Sequence, residues 1–299
     1  MNKTLLAGIF MTLIIAVVIV FGPMFPKVDS NLEATVVHRD SEGKLMAPPY
    51  PPSADFLLGS DRKGQDLYSK IIIGARETFY ILGVIVVLRI FVSILLAVLA
   101  FYIKAMRQFM LLLNALFSFI PPIFLILILL AVPAIMFSGM RSIWAILIIS
   151  LLDVGRLSKV FYDLLVDENQ KLYIEAAIAS GCSKWKLFKR HYWKVLKGEL
   201  FIMTSGEAAK VMFLLAQLGV IGVFINQEFM SQLTRGLYQA VNTSLYWPVL
   251  LESIRGDIYT YHWIPLSVLG VITFTMIAFY LLGEGLRIRQ NVKLRRPSI

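Results

Sequence analysis

The strongest constraint on this chain is the length of its apolar runs. A bilayer core of about 30 Å asks for roughly 20 apolar residues per helix. Six stretches approach that length, at about 5–25, 78–102, 110–136, 141–160, 200–225 and 263–284. Hydrophobic residues make up 58% of the 299 positions and charged residues 16%, against an apolar share of about 45 to 50% in soluble domains. The mean hydropathy is +0.74. The expected fold is therefore an all-α integral membrane protein with six transmembrane helices.

Two of the six runs need comment. The fourth loses its apolar character near Leu152, so Asp153, Arg156 and Lys159 must lie at the interface or reach it by snorkelling. The first has the position of a signal peptide, but its apolar run is long and no small-residue cleavage site follows Phe25, so it is expected to remain as a span.

The distribution of Lys and Arg sets the orientation. The termini and the connections at about 103–109 and 156–199 hold about 17 of them in about 70 residues, whereas the connections at about 26–77, 137–141 and 226–262 hold about 10 in about 94. Positive charge collects on the cytoplasmic side, which places both termini inside. The chain then divides into an N-terminal span (1–25), an extracytoplasmic segment (26–77), a membrane domain (78–285) with a cytoplasmic loop at 163–197, and a basic cytoplasmic tail (286–299). In the extracytoplasmic segment the Pro-rich run from Ala47 to Ser53 favours an extended conformation over a packed core. Trp247 and Trp263 are expected at an interfacial aromatic belt.

Several chemistries are excluded. A net charge of +10 could serve nucleic acid, but the basic residues are scattered through short loops and form no stripe with interleaved aromatics. Cys182 is the only cysteine, so there is no intrachain disulfide. His38 and His262 have no neighbours at metal-ligand spacing, and no metal site is expected. Gly59 and Gly64 have the spacing of a phosphate loop, but Gln65 and Asp66 replace the Lys and Ser or Thr that such a loop needs. No His-Glu-x-x-His or Gly-x-Ser-x-Gly motif occurs, and no catalytic residue is assigned.

Three charges lie inside apolar runs. Arg89 is near the middle of the second, and Glu207 and Lys210 are in the fifth, three residues apart and able to pair on one helix face. An ionised side chain near the bilayer centre costs about 2.5 to 3.5 kcal/mol on insertion scales. These residues therefore form a buried ion pair, contact a sister subunit, or line a pathway.

The stretch from Glu175 to His191, EAAIASGCSKWKLFKRH, is a basic, polar island between apolar runs. Tyr173 to Ser180 contains good helix formers, Gly181 can end a helix in the left-handed conformation, and Ser183 can cap a second one. Two short helices hinged at a glycine would make a compact knob. Trp185, Leu187 and Phe188 would give it apolar surface to bury against a partner, although its lysines would also suit anionic lipid headgroups.

The spacing of Glu175, Ala176, Ala177, Gly181 and His191 resembles the EAA loop of ABC-importer permeases of the binding-protein-dependent type I class. A second stretch, GSDRKGQDLYSKIIIGARETF at Gly59 to Phe79, is similar to the signature before the second span of dipeptide and oligopeptide permeases of the C type. Gly59, Asp61, Gly64, Asp66, Ser69, Gly74 and Arg76 match it. Tyr246 to Arg255, His262 to Pro265 and Leu281 to Arg287 resemble later segments of the same family, so the likeness covers about 55–290.

This resemblance implies a channel-forming subunit in a bacterial plasma membrane, importing oligopeptides or dipeptides. It also implies a second homologous permease, two ATPase chains and an extracytoplasmic substrate-binding protein as partners. ATP and Mg would then be held by the ATPases, with no cofactor on this chain. Glu175, Ala176, Ala177, Gly181, Trp185 and His191 would engage the ATPase. A metal chelate or another solute is the alternative cargo. An ion-driven secondary transporter is the alternative mechanism, though the internal repeats common in that class are not seen.

The chain also departs from the family pattern. Tyr192, Trp193, Lys194 and Val195 stand where Ile-Leu-Pro-Asn is usual, so no proline interrupts the approach to the fifth run. The acidic residue usual midway along that run falls near Leu215, and the Gly-rich exit is reduced to Gly219 and Gly222.

Overall fold

A computed structural model describes residues 3–39, 45–231, 238–242 and 244–295. It is mostly helical and falls into two compact units. One comprises Lys3–Leu82 and Ala209–Leu282, and the other Gly83–Ala208 together with the chain from Gly283 onward.

In the first unit, α1 (Lys3–Phe21) is apolar throughout. A Cβ on Gly8 would lie 2.5 Å from the backbone nitrogen of Leu282 in α12 (Trp263–Arg295). Such close approach of backbones is how helices pack where lipid removes the hydrophobic drive. Helix α2 (Leu67–Tyr102) begins at Leu67, well before the position near 78 expected from hydropathy. Its start is set by Asp66, whose Oδ2 accepts the Ser69 backbone N–H at 2.8 Å and the Ser69 hydroxyl at 2.5 Å. A side-chain acceptor for an orphan N–H nucleates the helix ahead of the apolar run.

The segment between α1 and α2 is more than an extended linker. Tyr50, within the Pro-rich run, is buried and stacks on Phe56 at 5.1 Å. Its hydroxyl donates to the Thr35 carbonyl at 3.0 Å and its N–H to the Ser60 Oγ at 2.7 Å. An aromatic ring with a satisfied hydroxyl makes a local core where composition alone suggested none. Two small antiparallel ribbons also depart from the all-helical expectation: β1 (His38–Arg39) with β2 (Leu45–Met46), and β3 (Gln227–Ser231) with β4 (Tyr238–Asn242). A short helix, α11 (Ile254–Thr260), precedes α12.

Trp247 is not part of an interfacial belt. It is only 2% exposed, its indole N–H donates to the Ile71 carbonyl at 2.8 Å, and its backbone N–H to Thr78 Oγ1 at 2.9 Å. Trp263 is half-buried, beside Gly59.

In the second unit the third apolar run is broken. Helix α3 (Lys104–Phe119) and helix α4 (Pro122–Leu130) meet at 95°. Pro121 forces Ile120 into an extended conformation (φ −112°, ψ 124°), and Pro122 opens the next helix at a position where no N–H is needed. One more turn, α5 (Pro133–Met136), follows. The fourth run divides at Leu152–Asp153 into α6 (Arg141–Leu151) and the more polar α7 (Val154–Asn169). By length and composition, three helices of the described residues can cross a membrane (Lys3–Met24, Leu67–Tyr102 and Trp263–Val292), or four if the bent pair is one span. The fifth run lies in the 29-residue α10 (Trp193–Ile221), which carries Glu199, Glu207 and Lys210.

Helices α3 and α7 pack around Met110, Leu96, Ala100 and Val154. A Cβ on Gly155 would lie 2.7 Å from the Asn114 nitrogen and 2.8 Å from the Leu113 carbonyl carbon. Backbone cannot yield as a side-chain tip can. Gly155→Val is therefore expected to part the two helices and cost about 1 to 3 kcal/mol, read as a lower thermal midpoint in detergent.

Candidate functional site

The segment after α7 is built as two short helices on a fixed frame. Helix α8 (Leu172–Ala179) presents Glu175 and Ala176 to solvent, with Ala177 half-buried, and is anchored by fully buried Ile174. It ends at Gly181, whose φ of +78° turns the chain. The Gly181 N–H donates to the Ile178 carbonyl at 2.9 Å and the Cys182 N–H to the Ala177 carbonyl at 3.0 Å. This pair of bonds satisfies the last carbonyls of α8 and requires a left-handed residue at the turn. Ser183 then caps α9 (Lys184–Leu187), its Oγ accepting the Lys186 N–H at 3.4 Å. A π-helical turn, Phe188–Tyr192, carries the chain into α10. With no proline present, the extra residue of that turn is absorbed and the helix continues.

This knob is held from behind by residues that hydropathy reading does not single out. Glu168, buried near the end of α7, accepts the Lys171 ammonium at 2.5 Å and the Tyr173 hydroxyl. The bond to Glu168 raises the Lys171 pKa, against the lowering effect of burial. Burial first, and then the Glu168 contact, raises that of Tyr173. Raised values mean the clamp is intact at neutral pH and is lost as pH climbs beyond the ordinary lysine and tyrosine range. Tyr192 is buried against Phe101, and its hydroxyl donates to Asn169 Oδ1 at 2.7 Å. His191 is half-buried with its ring 5.5 Å from that of Tyr173. The only sequence sign of the clamp is the run Glu168-x-x-Lys171-x-Tyr173, which any solvated helix end could carry.

On the outer side Trp185 is 73% exposed and stacks on Phe188 at 6.1 Å. Leu172 and Ile178 are also exposed, and so are Lys184, Lys186, Lys189 and Arg190, the sequence neighbours of Trp185 and Phe188. Apolar surface displayed on a braced frame and flanked in sequence by exposed cations is what a docking face needs.

Within the same unit a buried charge cluster joins α2, α6, α7 and α10. Arg89 is 3% exposed and Glu207 2%. Arg89 Nη1 donates to Glu207 Oε2 at 3.1 Å, its Nη2 to the Ile149 carbonyl, and its Nε to the Ser150 carbonyl at 3.3 Å. Arg156 donates to Glu207 Oε1 at 3.0 Å and grips Asp153 through Nε at 2.9 and 3.1 Å. Two guanidinium groups thus meet two carboxylates, so the formal charge cancels. The arginine fork also caps carbonyls left unpaired at the end of α6. Glu207 thus has partners on two other helices, and Asp153 and Arg156, expected at an interface, belong to the cluster. Lys210 belongs to the first unit, where it lines an apolar recess with Phe213, Met276 and Tyr280.

In the first unit the Gly59 to Phe79 stretch is a scaffold. Gly59 (φ +79°) and Gly64 (φ +76°) need the left-handed region, and a Cβ on Gly64 would strike the Thr35 carbonyl oxygen at 2.2 Å. Asp61 Oδ1 accepts the N–H groups of Lys63 and Gln65, each at 2.9 Å, and its Oδ2 meets buried Lys70. Gly74 leaves room for the Leu245 carbonyl oxygen, 2.2 Å from where a Cβ would be. Glu77, not singled out from sequence, accepts the Leu245 N–H at 2.8 Å and the Asn226 amide at 3.1 Å. Arg76 alone of the matched charged residues is exposed on the helix surface. Gly219 lies against the Pro248 carbonyl, and Gly222 (φ +86°) ends α10.

No family model matches the chain. It is 27% identical over 82% of its length to the glutathione transport system permease of Pectobacterium atrosepticum, covering 75% of that protein. It is 25% identical over 99% of its length to the dipeptide transport system permease of Bacillus subtilis, covering 83%. To the oligopeptide transport system permease of Bacillus subtilis it is 22% identical over 99% of its length, covering 87%. Both apolar helices long enough to span a bilayer and similarity along almost the whole sequence make the chain a homologue of the permease subunits of peptide and glutathione transport systems.

Proposed function

We propose that the chain is a transmembrane permease subunit of a bacterial ABC importer for dipeptides or oligopeptides. Its six runs would all be membrane-embedded, with both termini and the 163–197 loop in the cytosol. Its partners would be a second homologous permease, two ATPase chains that hold ATP and Mg, and an extracytoplasmic binding protein.

The observation that carries this reading is the braced knob of α8 and α9, with Trp185 exposed and Gly181 as its hinge. ATPase closure would displace the knob as a body, because Glu168, Lys171, Tyr173 and Tyr192 bind it to α7. Motion at α9 would pass through the π-helical turn into α10 without a proline to absorb it. Glu207 sits along that helix and would deliver the motion to α2 through Arg89 and to α7 through Arg156. In this reading the intramembrane charges transmit force and do not touch cargo.

Gentle purification from native membranes, followed by identification of the co-purifying chains, tests the assembly. Stoichiometric ATPase and a second permease are expected. A homogeneous single-chain transporter would rule it out.

A further inference from the structure

A polar cleft in the first unit is used neither by the knob nor by the charge cluster. It has a volume of about 390 Å³, within the range of about 300 to 1,000 Å³ typical of small-ligand sites. Its lining includes the Asp61–Lys70 pair, the Arg62–Asp257 pair, Glu252, Asn242 and Ser244.

Two of these side chains point to an occupant. Both Nδ2 and Oδ1 of Asn242 are buried and have no hydrogen-bond partner among the described residues, and the same is true of Ser244 Oγ. Buried polar atoms are paired in the great majority of cases, so three orphans on the wall of one cleft need an explanation. An amide offering one donor and one acceptor is the natural complement of another amide, and a neighbouring hydroxyl can serve either role.

The charges around these orphans narrow the ligand further. Arg62, Lys63 and Lys70 balance Asp61, Glu252 and Asp257, so the lining is formally neutral and favours neither an anion nor a cation. Arg62 is half-exposed and holds Asp257 through Nε at 2.7 Å, which leaves its outer nitrogens available to a carboxylate. Glu252 is exposed at the cleft and can receive an ammonium group. Cation, anion and paired amide positions within one small volume match the three polar groups of a short peptide with free ends.

We propose that this cleft binds a short zwitterionic peptide, with Asn242 and Ser244 holding a main-chain amide and Arg62 and Glu252 receiving the two charged ends. The inference rests on the reading of the chain as a peptide permease and adds a cargo-binding position on this subunit.

The test is calorimetric titration of the full-length chain in lipid nanodiscs with trialanine, no other protein being added. Saturable binding at one site per chain is expected, with acetylated and amidated trialanine at least tenfold weaker. Asn242→Leu should weaken trialanine at least tenfold, Ser244→Ala severalfold, and Asn242→Gln less than Asn242→Leu. Absence of saturable binding to the unmodified chain would mean that the cleft holds water only. Equal affinity in the unmodified chain, Asn242→Leu and Ser244→Ala would place the peptide elsewhere. Either result overturns the inference while leaving the assembly with ATPases untouched. Conversely, peptide binding by a chain that co-purifies with no ATPase would uphold the cleft and remove the importer.

Discussion

Arg89→Leu is expected to lower stability by about 3 to 5 kcal/mol, the cost of leaving a buried charge without its partner. Its loss exposes Glu207, 2% accessible, to an apolar surrounding with only Arg156 to balance it. It also uncaps the carbonyls of Ile149 and Ser150 at the end of α6. The measurement is the fraction of chain that stays monodisperse on heating in detergent. The double variant Arg89→Leu with Glu207→Leu should recover much of the loss, because no uncompensated carboxylate remains and Arg156 keeps Asp153. If Arg89→Leu were as stable as the parent, the cluster would not be the structural joint described here. A variant that assembles normally but fails only in transport would return Arg89 to the pathway.

The second large effect is at the knob. Gly181→Val should abolish ATP-driven uptake, because a β-branched residue resists a φ of +78°. Nothing lies within 4 Å of a Cβ built there, so the penalty is one of backbone conformation and not of crowding. Left-handed geometry costs an ordinary residue about 1 to 2 kcal/mol, enough to unwind the turn between α8 and α9 without unfolding the unit. Gly181→Asn is the control, since asparagine tolerates that conformation, and it should retain most of the uptake. Uptake and ATPase activity measured together in reconstituted vesicles separate the outcomes. Unchanged ATP-driven uptake in Gly181→Val would remove the knob from the mechanism.

Much of the knob was legible in the residues because its determinants are local. A glycine able to turn left-handed and a serine able to cap are statements about one or two peptide units, and both appear where the sequence places them. The start of α2 was misjudged because hydropathy senses lipid contact, while helix nucleation at Asp66 depends on a hydrogen-bond acceptor. The break at Pro121 and Pro122 could have been read from the two prolines, but the apolar character continues unbroken through them. Tyr50 and Trp247 were misassigned for a different reason. Their burial depends on Thr35, Ser60, Ile71 and Thr78, distant in sequence or silent in composition.

The sequence by itself determined the membrane class, the polar island with its glycine hinge, and the likeness to peptide permeases, since length, charge distribution and spacing are properties of short segments. Only the tertiary structure decided the partners of the intramembrane charges. Arg89 and Glu207 are 118 positions apart, and no local pattern announces a pairing between helices. The same holds for Glu168 behind the knob and for the orphaned amide of Asn242. Hydrogen bonds are short-ranged and directional, so which groups are satisfied and which are left open follows from how the backbone brings them together.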